Sequence, residues 1–312
     1  MSVNADTLLD RSRLKRQATR WRIAALAALT LAGFVLAETY LDIPGNRDGV
    51  NVLGRDYIAR LDVEGIIFDD PLRDEAIKKI AEDNKAKAVI VRIDSPGGTT
   101  VGGEMLYRQL HEIAAKKPVV AVMRGTAASA AYLTAVAAER IYAQEGTITG
   151  SIGVLMQSME FTELSKKLGI TPITIKSGPL KASPSPTEKL TPEAEAMVRE
   201  TIMDFYEVFI AKIAEGRKMP IAEVKKLADG RVYTGRQAVA NKLIDAIGDE
   251  DDAVSWLEKE KQIKPGLKIE KIEIKKEPTE WLESSSLLQW LGFTKAKIPE
   301  SGLVSLWEPG LP

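Results

Sequence analysis

The stretch AVIVRIDSPGG, Ala88 to Gly98, decides how this chain is read. Ala88 to Ile93 is a short apolar-rich run bounded by turn formers, the pattern of a strand buried on both faces of a parallel sheet. Asp94-Ser95-Pro96-Gly97-Gly98 follows it directly. Two glycines at the end of such a strand let the backbone turn and leave N–H groups that can receive an anion or an oxyanion. The same residues are also ordinary turn chemistry. A second buried strand, PVVAVM (Pro118 to Met123), leads in the same way into GTAASAAY (Gly125 to Tyr132).

Outward from these two runs, strand-like and helix-like segments alternate. Tyr57 to Phe68 is β-rich, and Arg73 to Asn84 has helical spacing with Ile77, Ile80 and Ala81 on one face. Gly103 to Ala115 and the small-residue segment Ala128 to Ala138 read as helices. Ile141 to Ala143, Ile152 to Met156 and Ile173 to Ile175 read as further short strands. Thr191 caps a long helix that starts at Pro192 and carries Val198, Ile202, Phe205, Phe209 and Ile213 at helical spacing. Val232-Tyr233 and Ala238 to Ile247 form a last strand-turn-helix unit, and the charged stretch from Asp249 to Lys276 reads as solvated helix and linker. Such alternation predicts an α/β fold with right-handed crossovers.

Composition narrows the chemistry. The 312 residues are 45% hydrophobic and 28% charged, enough for a sizeable core. With 43 Lys+Arg against 44 Asp+Glu the formal net charge is -1, and nothing points to nucleic acid as a partner. The absence of cysteine excludes a thiol nucleophile, disulfides and thiolate metal sites. A single histidine, His111, excludes a zinc site built on several histidines, and any Ser-His-Asp triad would have to use it.

The N-terminal region is of a different kind. Arg11, Arg13, Lys15, Arg16, Arg20 and Arg22 precede the uncharged run Ile23 to Ala37. As a helix that run would span roughly 22 Å, against a hydrocarbon core of about 30 Å. Trp21 and Tyr40 stand where interfacial aromatics would stand. A signal anchor over 23–40 with the N-terminus in the cytoplasm is the favoured reading. A cleaved signal peptide and a core helix are the alternatives. The expected organisation is a basic segment (1–22), the anchor (23–40), a linker (41–56), a catalytic domain (57–257) and a C-terminal extension (258–312). That extension holds Trp281, Trp290 and Trp307 and is apolar enough to dock on its own domain, a second subunit or the membrane surface.

Three further segments carry candidate chemistry. Ser129 lies between small residues at a strand-to-helix turn, the layout of a nucleophile elbow, with Ala127 and Ala131 where glycines usually stand. It could equally be a helix N-cap. Such a serine needs a base. A lysine can serve when an apolar site draws its pKa toward neutrality. Lys181 sits in the otherwise uncharged SGPLKASP (Ser177 to Pro184), although a lysine in a loop can also be simply exposed. GTITGSIGV, Gly146 to Val154, is dense in glycine and hydroxyls and reads either as a groove lining or as a tight turn.

Together these pieces resemble the short form of the signal peptide peptidase A (SppA, protease IV) family. Its members are membrane-anchored Ser/Lys-dyad serine peptidases with a ClpP/crotonase-like fold. The resemblance runs from about Tyr57 to about Leu257. It rests on DSPGG (Asp94 to Gly98), AAS (Ala127 to Ser129), GTITGSIGV, SGPLK (Ser177 to Lys181), and GRVYTGRQA (Gly230 to Ala238) with Leu243-Ile244-Asp245. It implies Ser129 as nucleophile, Lys181 as general base and Ser151 as a hydroxyl that orients the lysine. It also implies an oxyanion hole from the backbone N–H of Gly97 or Gly98 and of Ala130. No cofactor and no metal is implied. The implied substrates are hydrophobic peptides, cleaved signal peptides among them. The implied assembly is a homo-oligomeric ring, an octamer being one option. The implied location is the bacterial inner membrane, with the catalytic domain on the periplasmic side. One departure stands out: Ala130-Ala131 replaces the family's usual glycine pair before Tyr132, which bears on substrate range more than on the reaction. The alternatives are a catalytically inactive anchored scaffold and a crotonase-like acyl-CoA enzyme.

Overall fold

The computed structural model describes Trp21, residues 54–274 and the backbone of Val304–Leu306. Met1–Val52 forms one unit and Leu53–Pro312 another. The expected anchor over 23–40 lies outside the described residues, as do Trp281, Trp290 and Trp307. Among the described residues no helix is long and apolar enough to cross a membrane.

Strand β1 (Tyr57–Ile67) leads into helix α1 (Pro71–Glu82), which Asp70 caps by accepting from the N–H groups of Leu72 and Arg73. Strand β2 (Ala86–Thr99) runs parallel to β1, and helix α2 (Thr100–Ala114) follows without a break. Strand β3 (Val119–Ala128) pairs parallel with β2 and ends at helix α3 (Ala130–Val136). Two short strands then share β3 as a neighbour. Strand β4 (Arg140–Ala143) pairs with Val120–Met123, while β5 (Ile148–Gly150) pairs with Thr126–Ala128. The sheet therefore forks along β3.

A small helix, α4 (Thr162–Lys167), and the long α5 (Pro192–Gly216) come next, then α6 (Ile221–Leu227). Thr191 caps α5 through the N–H of Ala194, as the sequence predicts. Strand β6 (Val232–Thr234) pairs antiparallel with β5. Helix α7 (Gly235–Ala240), β7 (Ala246–Ile247), α8 (Glu250–Glu260) and β8 (Lys268–Lys271) close the domain.

Alternation along the strands places one core on each face of the sheet. Val89, Val91 and Ile93 face a large cluster with Leu106, Leu110, Tyr132 and Ile213. Ala88 and Ile90 face a smaller one completed by Val120, Val122, Ala253 and Leu257. Burial on both faces is what the unbroken apolar run from Ala88 to Ile93 demands.

Three expectations change. Pro96-Gly97-Gly98 is not a turn but the last part of β2. The strand expected after Gly150 lies instead at Ile148–Gly150, and 173–175 is not a strand. The charged stretch after Asp249 is not a linker. In it α8 buries Ala253 and Leu257, and β8 pairs parallel with β1. Charge there hides the strand from a hydropathy reading, because β8 is held partly by ion pairs. Asp62, nearly buried, meets Lys271 at 3.0 Å and Arg60 and Arg92 at 3.1 Å each.

Helix α3 is fixed to the far end of the chain by one hydrogen bond. The fully buried Tyr132 hydroxyl donates to the Leu243 carbonyl at 2.8 Å. Burial pushes the phenol's pKa well above its ordinary value, so it remains a donor at every accessible pH. Tyr132→Phe leaves that carbonyl without its partner. The expected loss is about 1–3 kcal/mol of stability, measurable by urea denaturation.

Candidate active site

The site begins with a mismatch between strands. Ile93 of β2 stands opposite Met123 of β3, yet Ser95 stands opposite Ala127. β3 thus gains two residues over β2 around Gly125. Asp94 fills the step, its carboxylate accepting from the Thr126 N–H at 3.0 Å. On the other side β2 gains one residue over β1, between the pairs Glu64–Asp94 and Ile66–Gly97.

Ser95 is fully buried and holds the glycines in place. Its Oγ accepts from the Gly97 N–H at 3.1 Å and donates to the Gly97 carbonyl at 3.3 Å. Gly97 has φ 116, a region open to glycine and costly for other residues. Gly98 lies flat on β1: a Cβ there would stand 1.9 Å from the Ile67 carbonyl oxygen. Against this ledge the backbone of β9 (Val304–Leu306) pairs antiparallel, with Gly98 opposite Ser305. The ledge therefore accepts an extended chain.

Ser129 stands where β3 passes into α3. Its φ of 56 and ψ of -121 lie outside the regions that an L-residue prefers, a strain of about 1–3 kcal/mol. The surroundings fix it. The Ser129 N–H donates to the Gly150 carbonyl at 2.8 Å, and the Leu133 N–H donates to the Ser129 carbonyl at 3.0 Å. The Ser129 side chain makes no capping bond to α3, so of the two sequence readings the elbow fits and the N-cap does not.

GTITGSIGV is neither a tight turn nor a plain groove lining. Thr149 Oγ1 donates to the Ala127 carbonyl at 2.7 Å, and Thr147 Oγ1 to the Arg124 carbonyl at 2.5 Å. These two hydroxyls stitch β5 to β3. Ser151 follows at φ 48, its N–H donating to the Arg231 carbonyl at 2.8 Å. A groove of about 330 Å³ runs from Ser151 past Leu155 to Met203 and Tyr206. The Gly150 carbonyl joins Ser129 to this segment, so the structure brings Ser129, Ser151 and the glycine ledge to one end of the sheet.

Lys181 is placed differently. It lies exposed in a turn, its N–H donating to the Gly178 carbonyl at 3.2 Å. Its amine joins none of the hydrogen bonds or ion pairs among the described residues. The segment carrying it is apolar and outward-facing. Met159, Phe161, Leu164, Leu168 and Ile170 are exposed, and Ile173 and Ile175 are 86% and 95% exposed. His111 is also exposed. It stacks on Tyr107 at 5.7 Å, about 15 Å along α2 from its first turn.

Ala130 turns its methyl toward α2, where a Cβ on Gly103 would come within 2.8 Å of it. Gly103 makes room for the residue that replaces glycine after Ser129.

The model for peptidase family S49 matches residues 111–264, which include Ser129, Ser151 and Lys181, and the Clp protease model matches residues 56–147. A Synechocystis sp. protein with a provisional protease name is 39% identical over 204 residues, covering 65% of this chain and 73% of that protein. The chain belongs to peptidase family S49. An Enterococcus faecium protein with a provisional signal peptide peptidase SppA name is 38% identical over 220 residues, 69% of this chain. This S49 chain spans 63% of that relative's length. Among solved structures it aligns with a ClpP1 mutant from Listeria monocytogenes at TM-score 0.40 and 18% identity, over 62% of this chain and 92% of that one. S49 is a family of serine-type peptidases. Membership leaves the acyl-CoA alternative without support.

Asp94 and Ser95 are the residues that sequence reasoning undervalued. Their signal was a buried-strand end with two short polar side chains ahead of Pro-Gly-Gly. Gly98→Ala must displace the β1 backbone. It is expected to cost about 1–3 kcal/mol and to cut fluorophosphonate labelling of Ser129 sharply, as thermal melting and labelling rate would show.

Proposed function

We propose that the chain is a membrane-anchored serine endopeptidase. It cleaves residual signal peptides and other hydrophobic peptides through an acyl-enzyme formed on Ser129. One observation carries this reading: Ser129 is held in a strained conformation at the strand-to-helix turn, beside a backbone ledge that accepts an extended chain. S49 membership supports it.

In the proposed reaction a peptide lies along Gly97–Thr99 as an added strand. Ser129 Oγ attacks the carbonyl carbon while the Lys181 amine takes the hydroxyl proton. The oxyanion accepts from the N–H groups of Gly98 and Ala130. Gly97 is the weaker candidate of the glycine pair, because its N–H already donates to Ser95 Oγ. The C–N bond breaks as Lys181 returns the proton to the leaving amine. Water then attacks the ester by the same proton path, releasing the acid and restoring Ser129. Ser151 orients the lysine. No metal or cofactor has a step in this sequence.

The exposure of Lys181 on an apolar arm supports an assembly in which the arm of one subunit lies on the next. Ser129 would then meet Lys181 of a neighbour in a homo-oligomeric ring. Residues 23–40 would anchor each subunit in the bacterial inner membrane, with the catalytic domain on the periplasmic side.

Hydrolysis of an apolar fluorogenic peptide tests the reading. Ser129→Ala and Lys181→Ala are each expected to lose about a thousandfold or more in kcat. Mixing the two inactive variants after dissociation and reassembly should restore about a quarter of the wild-type rate if the pair is shared between neighbours. Full activity in either single variant would overturn the assignment.

A further inference from the structure

Beside Ser129 lies a small cavity whose wall starts at Ala130, the residue after the proposed nucleophile. Leu133, Val154, Phe205 and Phe209 line it, and Lys212 of α5 closes one side. Its volume is about 30 Å³, room for a side chain of a few carbons. A peptide whose carbonyl meets Ser129 would place the side chain of that same residue here. This step rests on the proposed role of Ser129.

The walls are apolar, but the Lys212 side has a charge. The Lys212 amine stands 4.8 Å from the centroid of the Tyr107 ring and 3.8 Å from the Glu104 carboxylate. The ring holds the cation in place. The stem of Lys212 forms part of the wall, as long cationic side chains often do. The two charges are not equally felt inside. The Glu104 side chain is 51% exposed and largely screened, whereas that of Lys212 is 22% exposed. The field in the cavity is therefore that of the cation.

We infer that Lys212 selects against basic side chains at the residue whose carbonyl is attacked. A lysine or arginine entering the cavity would leave water and meet a like charge. An apolar side chain of the same length pays neither cost. A carboxylate would be drawn by Lys212 but must still shed water among Leu133, Phe205 and Phe209, so it ranks between them.

Two quenched peptides that differ only in norleucine or lysine at this residue isolate the charge, because their side chains share one straight carbon chain. The full-length protein is assayed as wild type, Lys212→Met and Lys212→Glu. Lys212→Met keeps the stem and removes only the charge, which covers the case in which Lys212→Glu folds poorly beside Glu104. The expected result is a norleucine-to-lysine ratio of kcat/KM that falls by about tenfold in Lys212→Met and further in Lys212→Glu. A ratio unmoved in both variants, with norleucine cleavage still dependent on Ser129, overturns this inference alone. Loss of all cleavage in both variants also overturns it, since Lys212 would then support the reaction rather than select its substrate. A wild type without Ser129-dependent cleavage of either peptide overturns the peptidase reading and the inference with it.

Discussion

The hydrogen bond from the Thr126 N–H to the Asp94 carboxylate stands where the regular sheet stops and the site begins. Up to Ile93 and Met123, β2 and β3 pair as any two parallel strands do. Beyond them β3 needs two more residues than β2 to reach the same level. A buried gap of that kind would leave backbone donors without partners, and a carboxylate is the strongest acceptor a side chain can offer them. With the step filled, β3 leaves β4 and continues along β5, and the fork delivers Ser129 to the Gly150 carbonyl. Ser95 does the corresponding work for the glycine ledge on the other side of Asp94. Two adjacent short polar residues thus set the positions of both walls of the site.

Much of the fold was legible because its central strands obey one rule. Strands buried on both faces must be apolar throughout, and Ala88 to Ile93 and Pro118 to Met123 show it without interruption. Caps at Thr191 and the helical spacing of Phe209 and Ile213 were equally direct. The failures share a cause as well. β8 is short and charged and joins the sheet through Asp62, so its signal lies in a partner about two hundred residues away rather than in its own pattern. Pro-Gly-Gly reads locally as a turn, yet β1 and the backbone of β9 on either side keep it extended.

The site divides along the same line. Ser129, Ser151 and the glycines belong to segments that the sheet itself aligns, and their sequence contexts carry the constraint: small residues at 127–131 and hydroxyls at 147–151. Lys181 belongs to a segment with almost no buried anchor of its own. Its local sequence could only say that it lacks charged neighbours, because what surrounds it is not supplied by adjacent chain. Gly103 shows the opposite case. Nothing near it in sequence explains a glycine inside α2, but the Ala130 methyl across the interface does.

The backbone angles of Ser129 have a consequence for how this protein can change. A glycine would adopt φ 56 and ψ -121 at little cost, and the same holds for φ 48 at Ser151. At both positions the most comfortable residue is one without a hydroxyl. Stability and chemistry therefore pull in opposite directions at two points of one turn system. A lineage screened only for heat resistance would drift toward glycine at 129 and 151, and would arrive at a sturdier sheet with nothing left at its edge to attack a carbonyl.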